Sequence, residues 1–224
     1  QGGKKLFGTI NISGSKNASL PILAATLLVD EKITLKNIPD VKDISTMINL
    51  LESIGKKINF LDSRNEIVIT SKKNKKLIAP YNLVKTMRAG VLVLGPLLAK
   101  YGQARVSLPG GCAIGSRPVD LHIDMLRKMG AKIKIDKGYI VAKVIKKLKP
   151  SKLKFETISV GATENLIMAA TLCKGKTIIK NIAIEPEIID LINFLNKSGA
   201  KIFFNSERTI IIEGVESLKG STHT

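Results

Sequence analysis

The sequence predicts an α/β domain built from three repeated units, with helices buried at the centre and sheets outside. Three observations lead to this. Short motifs recur along the chain, the recurrences keep one order of helix and strand patterns, and one helix of each unit is apolar nearly all round. With 224 residues, 44% of them hydrophobic, the chain is long enough for a large core.

Ala24-Ala25-Thr26-Leu27 reappears as Ala169-Ala170-Thr171-Leu172, and Ile33–Ile38 as Thr177–Ile182. Leu51–Ile58, Leu126–Ile133 and Leu195–Ile202 end alike around Gly55, Gly130 and Gly199, which lie 75 and 69 residues apart. That period exceeds a solenoid repeat, so each copy is a supersecondary unit of several elements.

The first unit, about 14–70, opens with an apolar helix over 17–28 and a strand at Lys32–Leu35. An amphipathic helix follows, with Ile44, Met47, Ile48 and Leu51 at i, i+3, i+4 and i+7. Gly55 suits the position just past its end, and strands follow at Lys56–Phe60 and Glu66–Thr70. The second unit, about 86–144, repeats this order. It has a helix over 87–99, a strand at Arg105–Leu108, a helix carrying Val119, His122, Ile123 and Leu126, and strands at Lys132–Ile135 and Tyr139–Val144. The third, about 159–213, has a helix over 162–172 and a strand at Lys176–Ile179. Its second helix carries Ile188, Leu191, Ile192 and Leu195, and strands follow at Lys201–Phe204 and Thr209–Glu213. A further strand is expected to lead into each unit.

The net charge of +18 points to anionic partners without choosing among them. An aromatic content of 4% argues against single-strand nucleic-acid binding, and no nucleic-acid motif is present. A basic nucleic-acid-binding domain therefore stands only as a competing reading. Cys112 and Cys173 lack metal-site or disulfide spacing, and His122 and His223 sit in no ligand cluster, so neither a metal nor a cofactor is expected. The apolar runs Leu20–Val29 and Ala89–Ala99 are about half the ~20 residues of a membrane span, so no membrane partner is expected. No basic-then-apolar segment opens the chain, and free thiols fit a reducing compartment, so a cytoplasmic protein is expected.

The units differ where chemistry is expected. The connection from Leu108 to Val119 is two residues longer than Leu35–Ile44 or Ile179–Ile188, and reads Pro109-Gly110-Gly111-Cys112-Ala113-Ile114-Gly115-Ser116-Arg117-Pro118. Its backbone N–H groups and Arg117 suit a phosphate, and a thiol in so positive a setting tends to be reactive. The other reading is a glycine-rich turn in which Cys112 is a small hydrophobe. Cys173, beside an apolar run, reads as core. The helix starts Ser13–Asn17, Lys85–Arg88 and Ser159–Thr163 offer cations and hydroxyls that can converge on an anion, or else ordinary N-caps. Lys16 and Arg88 oppose the helix dipole and need a compensating reason. His122 reads as a core or semi-buried residue, with proton transfer as the alternative, and His223 near the chain end receives no role.

Ser15-Lys16-Asn17-Ala18, Thr86-Met87-Arg88-Ala89 and the run Leu108–His122 resemble the UDP-N-acetylglucosamine enolpyruvyl transferases, and the likeness covers essentially all 224 residues. Ser159–Thr163 and Glu185-Pro186-Glu187 support it. The resemblance implies an inside-out α/β barrel with two similar domains of three units each. It implies transfer of the enolpyruvyl group of phosphoenolpyruvate to the 3′-hydroxyl of UDP-N-acetylglucosamine, with release of phosphate, opening peptidoglycan precursor synthesis. Cys112 matches the family's general acid and fosfomycin target. Lys16 and Arg117 match residues that hold phosphoenolpyruvate, and Asn17 a contact near the reacting groups. Arg88, the run Arg117, Pro118, Val119, Asp120 and Leu121, and Thr157, Ile158, Ser159 and Val160 match the sugar-nucleotide site.

Family chains are longer, and their second half supplies an aspartate base and further arginines. Residues 1–13 are therefore expected to be a strand of the second domain, poorly packed here or paired in a way the family does not use. Residues 14–215 form the three-unit domain, and 216–224 the crossover. The Cys112 loop is expected to be mobile, and the chain alone to turn over slowly or not at all. The sister enzyme acting on shikimate 3-phosphate fits less well, because the cysteine marks the sugar-nucleotide branch. A non-catalytic module that holds UDP-N-acetylglucosamine is the remaining alternative.

Overall fold

The computed structural model describes residues 2–61, 65–110 and 119–224. The first unit contains α1 (Lys16–Ala25), extended by a 3₁₀ turn at Thr26–Leu28, then β1 (Ile33–Leu35), α2 (Lys42–Ile54), β2 (Lys56–Phe60) and β3 (Ile67–Ser71). The second contains β4 (Ile78–Ala79), α3 (Tyr81–Val84), a 3₁₀ stretch at Arg88–Val93 running into α4 (Leu94–Tyr101), β5 (Gln103–Ser107), α5 (Asp120–Lys128), β6 (Lys132–Asp136) and β7 (Tyr139–Lys143). The third contains β8 (Lys152–Lys154), α6 (Val160–Thr171), β9 (Gly175–Lys180), α7 (Pro186–Lys197), β10 (Lys201–Ser206) and β11 (Thr209–Gly214), and β12 (Thr222–His223) follows. The helix and strand order read from the repeats is present in all three units.

Each unit owns a four-stranded sheet, in the orders β12-β1-β3-β2, β4-β5-β7-β6 and β8-β9-β11-β10. The lead-in strands β4 and β8 pair in parallel with β5 and β9. In the first sheet that place is taken from the far end of the chain. β12 pairs in parallel with β1, matching Thr34 to Thr222 and Leu35 to His223. Leu218 is buried and bridges to Val29, and Gly220 N donates to Glu31 Oε2 at 2.9 Å. Residues 218–223, expected to cross out of this domain, thus complete its first sheet. Without them, one edge of the buried strand β1 would present unpaired backbone groups.

α1, α4 and α6 form the centre. All residues from Ser19 to Ala25 and from Ala162 to Thr171 are buried, which is why these helices carry no polar face. The sheets lie outside and bury alternate residues, such as Ile67 and Ile69 in β3 and Ile210 and Ile212 in β11. The amphipathic α2, α5 and α7 each end at the repeated glycine, where φ is +133°, +93° and +100° at Gly55, Gly130 and Gly199. Those values lie where a side chain is strained, so one residue type is fixed at one position in every unit.

Residues 2–13 form no strand. Leu6, Phe7, Ile10 and Ile12 are 86–94% exposed, and the first tie to the domain is Gly14 N donating to Asn37 Oδ1 at 3.1 Å. Deleting residues 1–12 is expected to move the thermal unfolding midpoint by less than about 2 °C, since no buried contact is lost. A larger fall in circular-dichroism melting would show that the segment packs against the domain.

Candidate substrate site at the helix starts

The expected site residues that are described lie at or just before the starts of helices, and local chemistry explains two of those starts. Ser15 caps α1, its Oγ accepting from Ala18 N at 3.3 Å, and Ser159 caps α6 in the same way through Ala162 N at 3.3 Å. Lys16 opposes the dipole of α1 but pairs with Asp43 in the first turn of α2, Nζ to Oδ2 being 3.0 Å. Asp43 supplies the compensation that the sequence argument required. Asn17 beside it is exposed. Thr157 and Ile158 are exposed, and Ser159 and Val160 half-buried, at the approach to α6.

The middle unit starts differently. Thr86 Oγ1 donates back to the Leu83 carbonyl at 3.2 Å and caps nothing, and the chain enters the 3₁₀ stretch at Arg88 with no side-chain cap. Arg88 is half-buried, and its Nη2 is buried with no hydrogen-bond partner among the described residues. A buried guanidinium nitrogen left unpaired is costly, and an anion relieves that cost. Gly110 comes against this region, since a Cβ on it would meet the Lys85 carbonyl oxygen at 2.5 Å. Cys112, Arg117 and Pro118, with the expected mobility of their loop, lie outside the described residues. The chain resumes at Val119, half-buried, followed by exposed Asp120 and half-buried Leu121 at the start of α5.

Three of these starts are in contact. The His122 ring of α5 lies against Gly161 in the first turn of α6, where a Cβ would sit 3.4 Å from Cε1. The 3₁₀ stretch packs on α6, with Asn165 Nδ2 donating to the Val91 carbonyl at 2.9 Å. α1, bearing Lys16, packs on the same stretch from another side. A cavity of about 170 Å³ opens at the start of α1, lined among others by Ser15, Ser19, Asn37, Asp190 and His223. His223 Nε2 lies 2.8 Å from Asp190 Oδ1, with its ring edge-on to Phe194, so this terminal histidine does have a structural partner.

Buried polar groups stand behind the helix starts. Glu164 is buried in α6, and burial followed by repulsion from Glu187 and Glu185 pushes its carboxyl up to about 8. His122 is buried, which pushes its imidazole down to about 4 and keeps it neutral. Cys173 is core, as read from sequence. Its Sγ donates to the Leu148 carbonyl at 3.0 Å, and burial pushes the thiol up to about 11. At the opposite end of α1, Lys56 donates to Val29 O at 2.6 Å and Ser71 Oγ at 2.9 Å, and burial foremost lowers its ammonium to about 7. Among the described residues no group of three or more His, Cys, Asp or Glu side chains can hold a metal, and no helix is long and apolar enough to cross a membrane.

Residues 1–224, the whole chain, match the profile of the EPSP synthase (3-phosphoshikimate 1-carboxyvinyltransferase) family. The chain belongs to that family. Relatives named UDP-N-acetylglucosamine 1-carboxyvinyltransferase are 60% identical over 218 residues in Pelagibacter ubique HTCC1062 and 54% over 223 in Coxiella burnetii Dugway 5J108-111. They cover 97% and 100% of this chain, which in turn covers 52% and 51% of theirs. The chain thus spans about half the length of the curated relatives it matches. Among solved structures, the enolpyruvyl transferase NikO from Streptomyces tendae superposes with a TM-score of 0.81 at 19% identity, over 99% of this chain and 53% of that one. EPSP synthase from Acinetobacter baumannii gives 0.76 at 17%, over 96% and 49%. At these identities the likeness establishes the fold, the EPSP synthase-like α/β architecture with three sheets around helices.

Proposed function

We propose that this chain is the part of a UDP-N-acetylglucosamine 1-carboxyvinyltransferase that holds the sugar nucleotide and supplies the acid of the reaction. The observation that carries the reading is identity of 53–60% with relatives of that name over at least 97% of the chain. The EPSP synthase neighbour, whose name points to the shikimate branch, shares 17%.

In this reading Arg88, Arg117, Pro118, Val119, Asp120 and Leu121 meet the sugar nucleotide from one side and Thr157, Ile158, Ser159 and Val160 from the other. The unpaired Nη2 of Arg88 is a donor suited to its anionic part. Lys16, Asn17 and Arg117 hold phosphoenolpyruvate, which has to draw Lys16 away from Asp43. The 3′-hydroxyl oxygen bonds to C2 of phosphoenolpyruvate, its proton leaving to a base in the second domain of the longer relatives. The Cys112 thiol delivers a proton to C3, giving a tetrahedral phosphate ketal. Return of a C3 proton to the Cys112 thiolate and departure of phosphate restore the double bond. The setting is cytoplasmic peptidoglycan precursor synthesis, serving cell shape and division, with Cys112 the nucleophile that fosfomycin would alkylate.

Titrating the chain with UDP-N-acetylglucosamine tests this. Saturable binding is expected, and Arg88→Ala is expected to weaken it about tenfold or more, the effect of losing one charge-assisted hydrogen bond. Absence of saturable binding by the unaltered chain, alongside salt-sensitive binding of a single-stranded oligonucleotide, would overturn the reading.

A further inference from the structure

We infer that Asn165 is a positioning residue for the sugar-nucleotide site, one buried carboxamide setting the register of three segments that carry candidate ligand contacts. The inference rests on the proposed function for its ligand, and its geometry stands apart from that.

In a regular helix Gly95 N–H would bond to the Val91 carbonyl, four residues back. Here Gly95 N donates to Asn165 Oδ1 at 2.6 Å, and the Val91 carbonyl accepts from Asn165 Nδ2 at 2.9 Å. The amide of α6 is inserted into one rung of the neighbouring helix and replaces one bond with two. This site calls for a donor and an acceptor on one short side chain. Aspartate offers no donor, leucine offers neither, and glutamine is one methylene too long, because Gly95 already lies against the main chain of Asn165. The 3₁₀ path of Arg88–Val93, and so the place of Arg88, follows from that insertion.

The second Nδ2 proton fixes the third segment. Nδ2 lies 3.0 Å from His122 Nδ1, and since Gly95 N–H holds Oδ1, the nitrogen of the amide faces the ring. Nδ2 is donor only, so His122 Nδ1 accepts and the ring proton sits on Nε2. Burial of the ring agrees with a neutral imidazole. His122 follows Leu121 directly, and Nε2 lies beside Gly161, next to Ser159 and Val160. Arg88, the start of α5 and the start of α6 are thus set by one group, and a sugar nucleotide touching all three meets them at fixed spacing.

The test compares Asn165→Asp, which keeps the shape and loses both donated bonds, with His122→Leu, which removes the acceptor, and His122→Asn, whose amide oxygen takes the place of Nδ1. Nitrogen-15 spectra of the chain are expected to show His122 protonated on Nε2 in wild type and on Nδ1 in Asn165→Asp. UDP-N-acetylglucosamine binding is expected to weaken about tenfold in Asn165→Asp and His122→Leu, and to return to within about threefold of wild type in His122→Asn, while circular dichroism shows each variant folded. Should Asn165→Asp fail to fold, the two His122 variants carry the same test. A proton on Nδ1 in wild type, or binding as tight as wild type by the folded Asn165→Asp and His122→Leu variants, would overturn the inference. If wild type binds no UDP-N-acetylglucosamine, the proposed function fails by itself. The inference is then decided by the backbone amide shifts of Arg88–Val93 and Ser159–Gly161, expected to move together in Asn165→Asp and His122→Leu; unmoved shifts would refute it.

Discussion

Gly95→Ala is expected to lower the unfolding free energy by about 3 kcal/mol or more, the upper range for overpacking joined to lost buried hydrogen bonds. A methyl group at this position is driven into the main-chain oxygen of Asn165 and into Oδ1 of the same residue. Neither can yield cheaply. One belongs to the backbone of α6, and the other to an amide that also bonds to Val91 and His122. α4 and α6 would have to move apart at the centre of the domain, where close packing leaves little room. Alanine's better helix propensity, worth about 1 kcal/mol, opposes the loss without offsetting it. Gly161→Ala is the matched control. It too lies in a helix, but a Cβ there meets the His122 ring at 3.4 and 3.6 Å, ordinary contact, so a change within about 1 kcal/mol of wild type is expected. Urea unfolding of both variants is the measurement. Wild-type stability in Gly95→Ala would show that the two helices do not approach this closely.

Glu164→Gln is expected to stabilise the domain above about pH 8 and to change little at pH 4.5. The folded carboxyl keeps its proton to about 8, whereas in the unfolded chain it is released near the ordinary value of 4.5. Between those values the folded state binds more protons than the unfolded state. Stability therefore falls as pH rises through the window, and the loss is complete above the folded value. Its size is on the order of a few kcal/mol. Two other groups run the opposite way. His122, held down to about 4, costs stability as pH falls from 6.5, and Lys56, held down to about 7, does so as pH falls from 10.5. The raw pH profile mixes these with the raised Cys173 thiol, so the readout is the difference between wild type and Glu164→Gln in urea midpoints at a series of pH values. A difference that does not change with pH would mean that Glu164 ionises alike in both states.

The repeat was legible because it is written in residue types that physics restricts. Gly55, Gly130 and Gly199 recur at backbone angles that disfavour other residues, and the apolar stripes of α2, α5 and α7 each face the core. The helix-dipole argument marked Lys16 as needing a partner, and Asp43 answers it. What stayed hidden depends on neighbours distant in sequence. β12 is two residues long, with no pattern to mark it, and exists because β1 has a free edge. The 3₁₀ stretch at Arg88–Val93 is bonded at the Val91 carbonyl by an amide on another helix. His223 near the chain end gained its place from Asp190 on α7. Glu164 and Asn165 did leave a signal. They are two polar residues in a helix taken as apolar nearly all round, and buried polar groups need partners. Of the candidate site residues, Lys16, Asn17, Arg88, Val119–Leu121 and Thr157–Val160 stand at or just before helix starts.

The place of β12 in the first sheet has a consequence for how the protein is made. The earliest sheet to leave the ribosome is the last to be finished, because Thr222 and His223 pair with Thr34 and Leu35. At synthesis rates of roughly 5–20 residues per second, about 10–40 s separate the two strands. Within that interval the second sheet can close once Lys143 is made and the third once Gly214 is, while Ile33–Leu35 keep one edge open to other strands to the end. A stalled ribosome or a message broken anywhere before the codon for Thr222 releases a chain with that edge still bare. This is the species that chaperones and proteases would meet, and the one most prone to pair with its own kind.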